Sequence, residues 1–274
     1  MGKTIVEKIL GAHSGREVRK GDMVDVVIDV RAARDFGGAN VVKNLQDSGL
    51  GVADPGKTFF TLDCNPGGSD QAYATNQQIC RSFARANGIE TFDIDQGIGT
   101  HIVIDRGLVV PGSTFVSTDS HANILGAIGA FGQGMGDQDV AYAFAHGRVW
   151  FNVPPTLKVI LSGLPSRQAS AKDVTLALLK RFGANGLLGY AVEFYGSVVD
   201  SLGLDGRITL ASMATEMGGI ISLIPPTDKI LAYCGKKSGR AIEGVFADRD
   251  AEYDKVEELN LDDLPPLVSR PGHP

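Results

Sequence analysis

Two stretches of the sequence place acidic, hydroxyl and imidazole side chains directly after apolar runs. Asp119, Ser120 and His121 follow one run rich in β-forming residues, and Asp63 follows another. Carboxylates and imidazoles that share a cleft are common proton donors and acceptors in enzymes. Asp and Ser before a helix are also common amino-terminal caps. The pattern therefore predicts an acid–base site, with a helix cap as the alternative for Asp119 and Ser120.

Other polar groups occupy similar positions at the ends of apolar segments. His101 ends the glycine loop GIGTH, and Glu193 lies inside the run YAVEFYG, where a carboxylate needs a partner or a function. Cys64 is either a nucleophile or a small buried residue. Because strand ends face one crevice in open α/β sheets, we expect the candidate acid–base residues to converge there. These residues are Asp63, His101, Asp119, His121 and Glu193.

Apolar periodicity predicts the elements that position these groups. Helices are predicted over 4–10, 40–50, 69–88, 170–183, 206–219 and 228–237. Strands are predicted over 22–30, 58–63, 91–94, 113–119, 154–163 and 190–196. The segment 101–107 reads as extended, and the glycine-rich segment 126–150 reads as two helices. Alternating helices and strands predict an α/β fold.

The order of these elements predicts two units and a tail. Residues 1–150 fit a three-layer α/β/α domain with a mostly parallel sheet, and residues 151–247 fit a second, smaller α/β unit. Residues 248–274 are acidic and then proline-rich, which is typical of a connector or tail.

Composition limits the kind of protein. The 274 residues carry a formal charge of −6, which disfavours nucleic-acid binding and favours small-molecule chemistry or protein association. The three cysteines, Cys64, Cys80 and Cys234, lie too far apart in sequence for a CxxC metal motif, and they indicate a reduced, cytoplasmic setting. No apolar run approaches the roughly 20 residues of a membrane span.

Several segments together resemble a known family. They are TLDCN (61–65), TDSHANILGAIGAFGQGMG (118–136), YAVEFYG (190–196) and GRITLASMATEMGG (206–219). These segments are similar, in the same order and over nearly the whole chain, to the large subunits of 3-isopropylmalate dehydratases in the aconitase superfamily. The resemblance implies an aconitase-like fold and a hydro-lyase that dehydrates and rehydrates a hydroxy di- or tricarboxylic acid at a 4Fe-4S cluster.

The resemblance also implies roles for single residues. Asp119, His121 and Glu193 would belong to the acid–base and hydroxyl-positioning set, with Ser120 beside the substrate. Asp63 matches the aspartate of the family's Asp-His motif, and His101 is a displaced candidate for the histidine of the glycine loop. The candidate substrate-binding residues are Arg34, Cys64, Asn65, Thr100 and Ser120.

The chain departs from the family pattern at three of these positions. Cys64 and Thr100 stand where the family usually has histidines, and Arg34 stands where a histidine often precedes an aspartate. The cysteines that hold the cluster in the family have no match in this chain, so no metal ligand is predicted.

Three hypotheses follow from the resemblance and its departures. The chain is a hydro-lyase component that needs a cluster-bearing chain and a small swivelling subunit, or a relative that works without the cluster, or a non-catalytic paralogue that binds a partner. Exposed apolar faces are expected to support self-association or partner binding.

Overall fold

A computed structural model of the protein describes residues 2–272 and shows a mixed α/β fold. The strands are β1 (Met23–Val27), β2 (Val30–Arg34), β3 (Thr58–Thr61), β4 (Glu90–Phe92), β5 (Thr114–Ser117), β6 (Phe131–Gly134), β7 (Arg148–Asn152), β8 (Thr156–Ser162), β9 (Ala191–Tyr195), β10 (Ile221–Leu223) and β11 (Lys255–Asn260). The α-helices are α1 (Ile5–Ser14), α2 (Gly38–Asp47), α3 (Gln71–Asn87), α4 (Gly99–Asp105), α5 (Asp137–His146), α6 (Ala171–Phe182), α7 (Ser197–Ser201), α8 (Leu204–Ser212) and α9 (Asp228–Ser238). Short 3-10 helices lie at Pro55–Lys57, Ala122–Ile128 and Thr215–Met217.

Two parallel sheets organise the chain. The larger sheet has five strands in the order β4-β3-β2-β5-β6, and the smaller has four in the order β10-β9-β8-β11. Every pair of neighbours in both sheets is parallel. A separate antiparallel pair joins β1 to β7. The predicted parallel α/β architecture is therefore confirmed.

The five-stranded sheet is covered by helices on both faces. Successive side chains of a strand point to opposite faces, so Ala32 and Phe59 face one layer while Ala33 and Phe60 face the other. The first pair packs against α4, α9 and the 3-10 helix Ala122–Ile128. The second pair packs against α2, α3 and α5. Burial on both faces explains why β2, β3 and β5 are almost wholly buried runs rather than alternating ones.

The two sheets share part of their core. One apolar cluster contains Ile5 and Ile9 of α1 together with Ile221 and Leu223 of β10. The side chain of Thr4 caps α1 by accepting a hydrogen bond from the Glu7 amide, which fixes where this helix begins. The amino-terminal helix therefore packs against residues of both parallel sheets.

Several expected elements differ in the structure. The apolar segment 101–107 is mostly helix α4 rather than extended, because a short run buried on all sides has no period that distinguishes helix from strand. The segment 126–150 contains β6 and the start of β7, together with the end of the 3-10 helix Ala122–Ile128 and a single α-helix, α5. The stretch 22–30 forms β1 and the start of β2 rather than one strand. The helix expected over 206–219 ends at Ser212.

The carboxy-terminal segment contributes to the smaller sheet. Strand β11 pairs in parallel with β8 from Lys255 to Asn260, so this part of the predicted tail 248–274 is an edge strand. His273 and Pro274 of that prediction, like Met1 of the first predicted unit, lie outside the described residues. Within residues 2–272, no helix combines the length and apolar character needed to cross a bilayer.

Candidate active site at the carboxyl ends of the central strands

Arg34 lies at the centre of the candidate site, at the end of the middle strand β2. Its Nε donates to Oδ1 of Asp63 at 2.8 Å, and its Nη1 lies 3.2 Å from Oδ1 of Asp119. Asp63 follows β3 and Asp119 follows β5, which are the two neighbours of β2. Because parallel strands end at one edge, three residues far apart in sequence form one ion-pair network.

Backbone contacts hold this network in place. The amide of Arg34 donates to Oγ1 of Thr118 at 2.9 Å, which ties the ends of β2 and β5. The amide of Gly99 donates to Oδ2 of Asp63 at 2.7 Å. A Cβ atom at Gly99 would lie 2.5 Å from Oγ1 of Thr61, so only glycine allows this approach. Both oxygens of Asp63 therefore accept a hydrogen bond.

The loop after β5 is fixed by its own carboxylate. Oδ1 of Asp119 accepts the amide of His121 at 3.0 Å, and the Asp119 amide donates to Oγ of Ser117 at 3.1 Å. A Cβ atom at Gly134 would lie 2.5 Å from the carbonyl oxygen of Asp119, so the glycine of β6 lets the two segments pack closely. The N-cap of the 3-10 helix Ala122–Ile128 is His121, and no side chain caps that helix, so Asp119 braces the loop before it and contacts Arg34 at the same time.

A hydrogen-bonded chain runs through His121. Its Nε2 lies 3.0 Å from Oε1 of Glu216, and its Nδ1 lies 3.2 Å from Oγ of Ser120. A carboxylate only accepts, so Nε2 of His121 carries the proton that the pair shares. In neutral His121 the other nitrogen, Nδ1, then accepts from the Ser120 hydroxyl. This arrangement can pass a proton between a ligand at Ser120 and the imidazole.

Asp35 and Cys64 form a polar layer beneath Asp63. Asp35 is fully buried, and its two oxygens accept the Cys64 amide at 3.1 Å and Nε2 of Gln77 at 2.9 Å. Burial, together with Asp35, raises the pKa of the Cys64 thiol to about 12, so the thiol stays protonated and is a poor nucleophile. Asp35, Asp63 and Cys64 each offer a possible metal-ligand atom, and these atoms lie within 4.8 Å of one another. The carboxylate of Asp63, however, is already paired with the guanidinium of Arg34.

Glu193 does not reach this edge of the five-stranded sheet. It lies on β9, fully buried, and one of its oxygens accepts the Ile5 amide at 2.6 Å. Its other oxygen accepts the hydroxyls of Tyr195 at 2.6 Å and Tyr253 at 2.9 Å. Burial raises the pKa of Glu193 above its ordinary value. The structure therefore places Glu193 where it ties α1 and the carboxy-terminal segment to the smaller sheet.

The other predicted residues lie near the network without joining it. Thr100 is buried in the first turn of α4, and Nδ1 of the half-buried His101 has no hydrogen-bond partner among residues 2–272. The carbonyl oxygen of Asn65 accepts Nε2 of Gln77 at 3.1 Å, which links that loop to Asp35. The residues brought together are thus Arg34, Asp63, Cys64 and Asp119 in one group and Ser120 and His121 in the next.

The cysteines do not fit an iron–sulfur cluster. Cys80 packs in the apolar layer under α2 and α3, whereas Cys234 packs in the layer on the opposite face of the sheet. Burial raises the pKa of the Cys80 thiol to about 12 and that of the Cys234 thiol to about 11. Cluster ligands are thiolates that converge on one point. Residues 2–272 therefore hold no such ligand set.

Glu216 is the site residue that the sequence did not reveal. The segment 206–219 reads as one helix, on which a single glutamate is an ordinary surface residue. In the structure α8 ends at Ser212, and the 3-10 turn Thr215–Met217 carries Glu216 to His121. The glycines at 218–219 signal a helix end only at that point, so the sequence carried no signal for the end at Ser212.

Together, the fold and the site define an α/β protein with a polar, ion-paired site at the carboxyl edge of a parallel sheet. Residues 7–274 match the model of the aconitase family (aconitate hydratase). The chain belongs to the aconitase family, which confirms the resemblance seen in the sequence.

Relatives with assigned names match the full length of this chain. It is 37% identical over 276 residues to a 3-isopropylmalate dehydratase large subunit from Methanopyrus kandleri, 38% identical over 280 residues to one from a Nitratiruptor species, and 34% identical over 275 residues to one from Thermotoga maritima. In each case 100% of this chain is aligned, but it spans only 66%, 66% and 65% of those relatives' own lengths.

Proposed function

We propose that this chain is a component of a hydro-lyase that acts on a hydroxy di- or tricarboxylic acid of the isopropylmalate or aconitate type. The observation that carries the proposal is the chain of contacts from Ser120 through His121 to Glu216, at 3.2 and 3.0 Å. Membership of the aconitase family and the names of the relatives support the reaction class.

The proton-transfer role is assigned to His121. Glu216 holds the imidazole by Nε2, so Nδ1 is free to exchange a proton with Ser120 or with a ligand hydroxyl in its place. Glu216 would stabilise the imidazolium that forms when His121 takes a proton. In this proposal Glu193 is a structural residue, because its carboxylate is saturated by three donors.

Arg34 is proposed to bind a substrate carboxylate. Its Nε and Nη1 contact Asp63 and Asp119, and Nη2, the third nitrogen of this half-buried guanidinium, has no hydrogen-bond partner among residues 2–272. A planar guanidinium held on two sides is preorganised for a carboxylate. Asp63 and Asp119 would then act by positioning Arg34.

Other polypeptide segments are needed for the complete enzyme. Since residues 2–272 lack a cluster ligand set, we propose that the 4Fe-4S cluster is held by a segment outside them. The relatives are named as large subunits, which supports a small subunit as a second partner. A cluster-independent relative is disfavoured, because eliminating a hydroxyl from an unactivated acid needs a Lewis acid.

A second candidate function is that of a non-catalytic, ligand-binding paralogue. It is favoured by the Arg34 ion pairs, which engage both Asp63 and Asp119, and by Cys64 and Thr100 at positions where histidines are expected. A binding protein needs Arg34 for its ligand but does not need His121 to exchange protons.

One assay separates the two candidates. The chain is reconstituted anaerobically with iron and sulfide, alone and with cluster-bearing and small-subunit partners, and formation of an unsaturated acid is followed by ultraviolet absorbance. The hydro-lyase proposal predicts turnover with partners and a loss of about 10²-fold or more in His121→Asn, the usual size of a general acid–base contribution. Ligand binding without turnover in any combination would support the paralogue instead.

A further inference from the structure

A polar cavity lies at the opposite end of the five-stranded sheet from Arg34. It has a volume of about 310 Å³ and lies at the amino ends of β2, β3 and β5. Phe59 and Leu108 line it together with Ser113, Lys57 and Arg240. Its size falls at the lower end of the range of about 300–1,000 Å³ for small-molecule sites.

Two free cations line this cavity. Lys57 and Arg240 are exposed, and neither side chain forms an ion pair or hydrogen bond with another residue of the described chain. Ser113 is 8% exposed, and its Oγ accepts the Val110 amide at 3.2 Å, so its own hydroxyl proton remains free to donate. The cavity therefore offers three donors, two of them charged.

The carboxylate that also lines the cavity is already compensated. Oδ2 of Asp29 accepts Nε2 of His13 at 2.8 Å and the Thr114 amide at 3.0 Å. Nδ1 of His13 lies 2.8 Å from the carbonyl oxygen of Ile9, so both ring nitrogens face acceptors, and the hydrogen bond to Asp29 raises the pKa of His13, which favours the imidazolium. Oδ1 of the nearby Asp54 accepts a hydrogen bond from the Gly56 amide at 3.0 Å. Asp29 is thus paired with His13, and its interaction with Lys57 is coulombic, without a hydrogen bond or close ion pair among residues 2–272.

We infer that this cavity binds a short aliphatic dicarboxylate. Lys57 and Arg240 would each hold one carboxylate, and Phe59 and Leu108 would cover the hydrocarbon between them. An inorganic oxyanion would use the cations but not the apolar floor, so it should bind more weakly. The inference concerns a site at the other end of the sheet and does not rest on the proposed function.

Titration calorimetry of the whole chain with succinate tests the inference at about 0.15 M ionic strength, where charges more than about 8 Å apart are screened. Succinate is expected to bind saturably, inorganic phosphate about tenfold more weakly, and neutral succinamide not at all. Lys57→Gln and Arg240→Gln should each weaken succinate about tenfold. These side chains are exposed and unpaired, so both variants should keep the wild-type circular dichroism spectrum.

Two control variants locate the binding. Arg85→Gln removes an exposed cation of α3 and should leave the affinity unchanged. Arg34→Gln removes any succinate held at the candidate active site, so the binding that this variant retains belongs to the cavity. The inference is overturned if succinate does not saturate, if Lys57→Gln and Arg240→Gln bind it as well as the wild type, or if only Arg34→Gln loses it. Equal affinities for phosphate and succinate would overturn the assignment of a dicarboxylate.

Discussion

His121 and Glu216 are 95 positions apart in sequence, yet Nε2 of His121 lies 3.0 Å from Oε1 of Glu216. The contact joins the loop after β5 of the larger sheet to the turn that follows α8 beside the smaller sheet. Thr215 supports it, since its Oγ1 donates to the Ser120 carbonyl at 3.1 Å and accepts Nδ2 of Asn123 at 2.7 Å. The loop after β5 and the turn after α8 therefore meet at the candidate proton-transfer group.

Thr215→Val should loosen this junction. The substitution leaves the buried amide of Asn123 without its acceptor, which costs about 1–3 kcal/mol of unfolding free energy. Thr209→Val is the matched control, because Thr209 bonds only a carbonyl of its own helix. Urea unfolding measures both, and equal stabilities of the two variants would contradict the supporting role of Thr215.

Gly134→Ala should displace the loop that carries Asp119. The new Cβ would lie 2.5 Å from the Asp119 carbonyl oxygen, so backbone must move at a cost of about 1–3 kcal/mol. Gly51→Ala is the control, since a Cβ there meets no atom within 4 Å. If urea unfolding gave Gly134→Ala the same free energy of unfolding as Gly51→Ala, the result would contradict the close packing of β6 against this loop.

Arg34→Gln should destabilise the protein by about 2 kcal/mol. Breaking a fully buried ion pair costs roughly 3–5 kcal/mol, and the 24% exposure of the Arg34 side chain reduces this. The loss arises because Asp63 and Asp119 remain close together without their shared cation. Lys43→Gln, at an exposed pair within α2, should change stability by less than about 0.5 kcal/mol. Urea unfolding should rank the two variants in this order, and the reverse order would refute the account of Arg34.

His13 and Asp29 should make stability depend on pH. The hydrogen bond to Asp29 raises the pKa of His13. Burial opposes ionisation of Asp29, but the bonds from His13 and the Thr114 amide outweigh it, so its pKa is lowered. The pair thus contributes fully between about pH 4 and pH 6.5, the ordinary values of the two groups. Its contribution is lost as pH rises through the raised pKa of His13, or falls through the lowered pKa of Asp29.

Urea unfolding between about pH 5 and pH 9 checks this dependence. Stability attributable to the pair should decline toward the alkaline end by roughly 0.5–1 kcal/mol, as expected of a partly exposed ion pair. His13→Gln should remove that decline, and His146→Gln, at an exposed ring tilted against Tyr142, should retain it. A decline that survives in His13→Gln would assign the pH dependence to other groups.

The sequence predicted the elements with strong local signals. Asp70 caps α3 by accepting the Tyr73 amide, and Gly88 ends it in the left-handed conformation, as its sequence indicated. The parallel strands β3, β5, β8 and β9 were likewise recognisable as apolar runs bounded by turn residues. These features depend on neighbouring residues only.

The site was predictable where it depends on strand ends and not where it depends on packing between units. Asp63 and Asp119 meet at Arg34 because their strands are neighbours, which the sheet order dictates. Glu216 reaches His121 only because α8 ends early. Glu193 lies apart from the site, where its carboxylate accepts hydrogen bonds from Tyr195 and Tyr253. Such long-range contacts leave no period or spacing in a single sequence.

Turnover by paired glutamate variants tests the central claim most directly. The chain assembled with its cluster-bearing and small-subunit partners is assayed for the unsaturated acid, comparing Glu216→Gln with Glu193→Gln over a range of pH. We predict that Glu216→Gln lowers kcat about 10²-fold and alters the pH profile while KM stays nearly constant, and that Glu193→Gln keeps wild-type kcat. Loss of kcat in Glu193→Gln with full activity in Glu216→Gln would contradict the assignment of His121 and Glu216 as the proton-transfer pair.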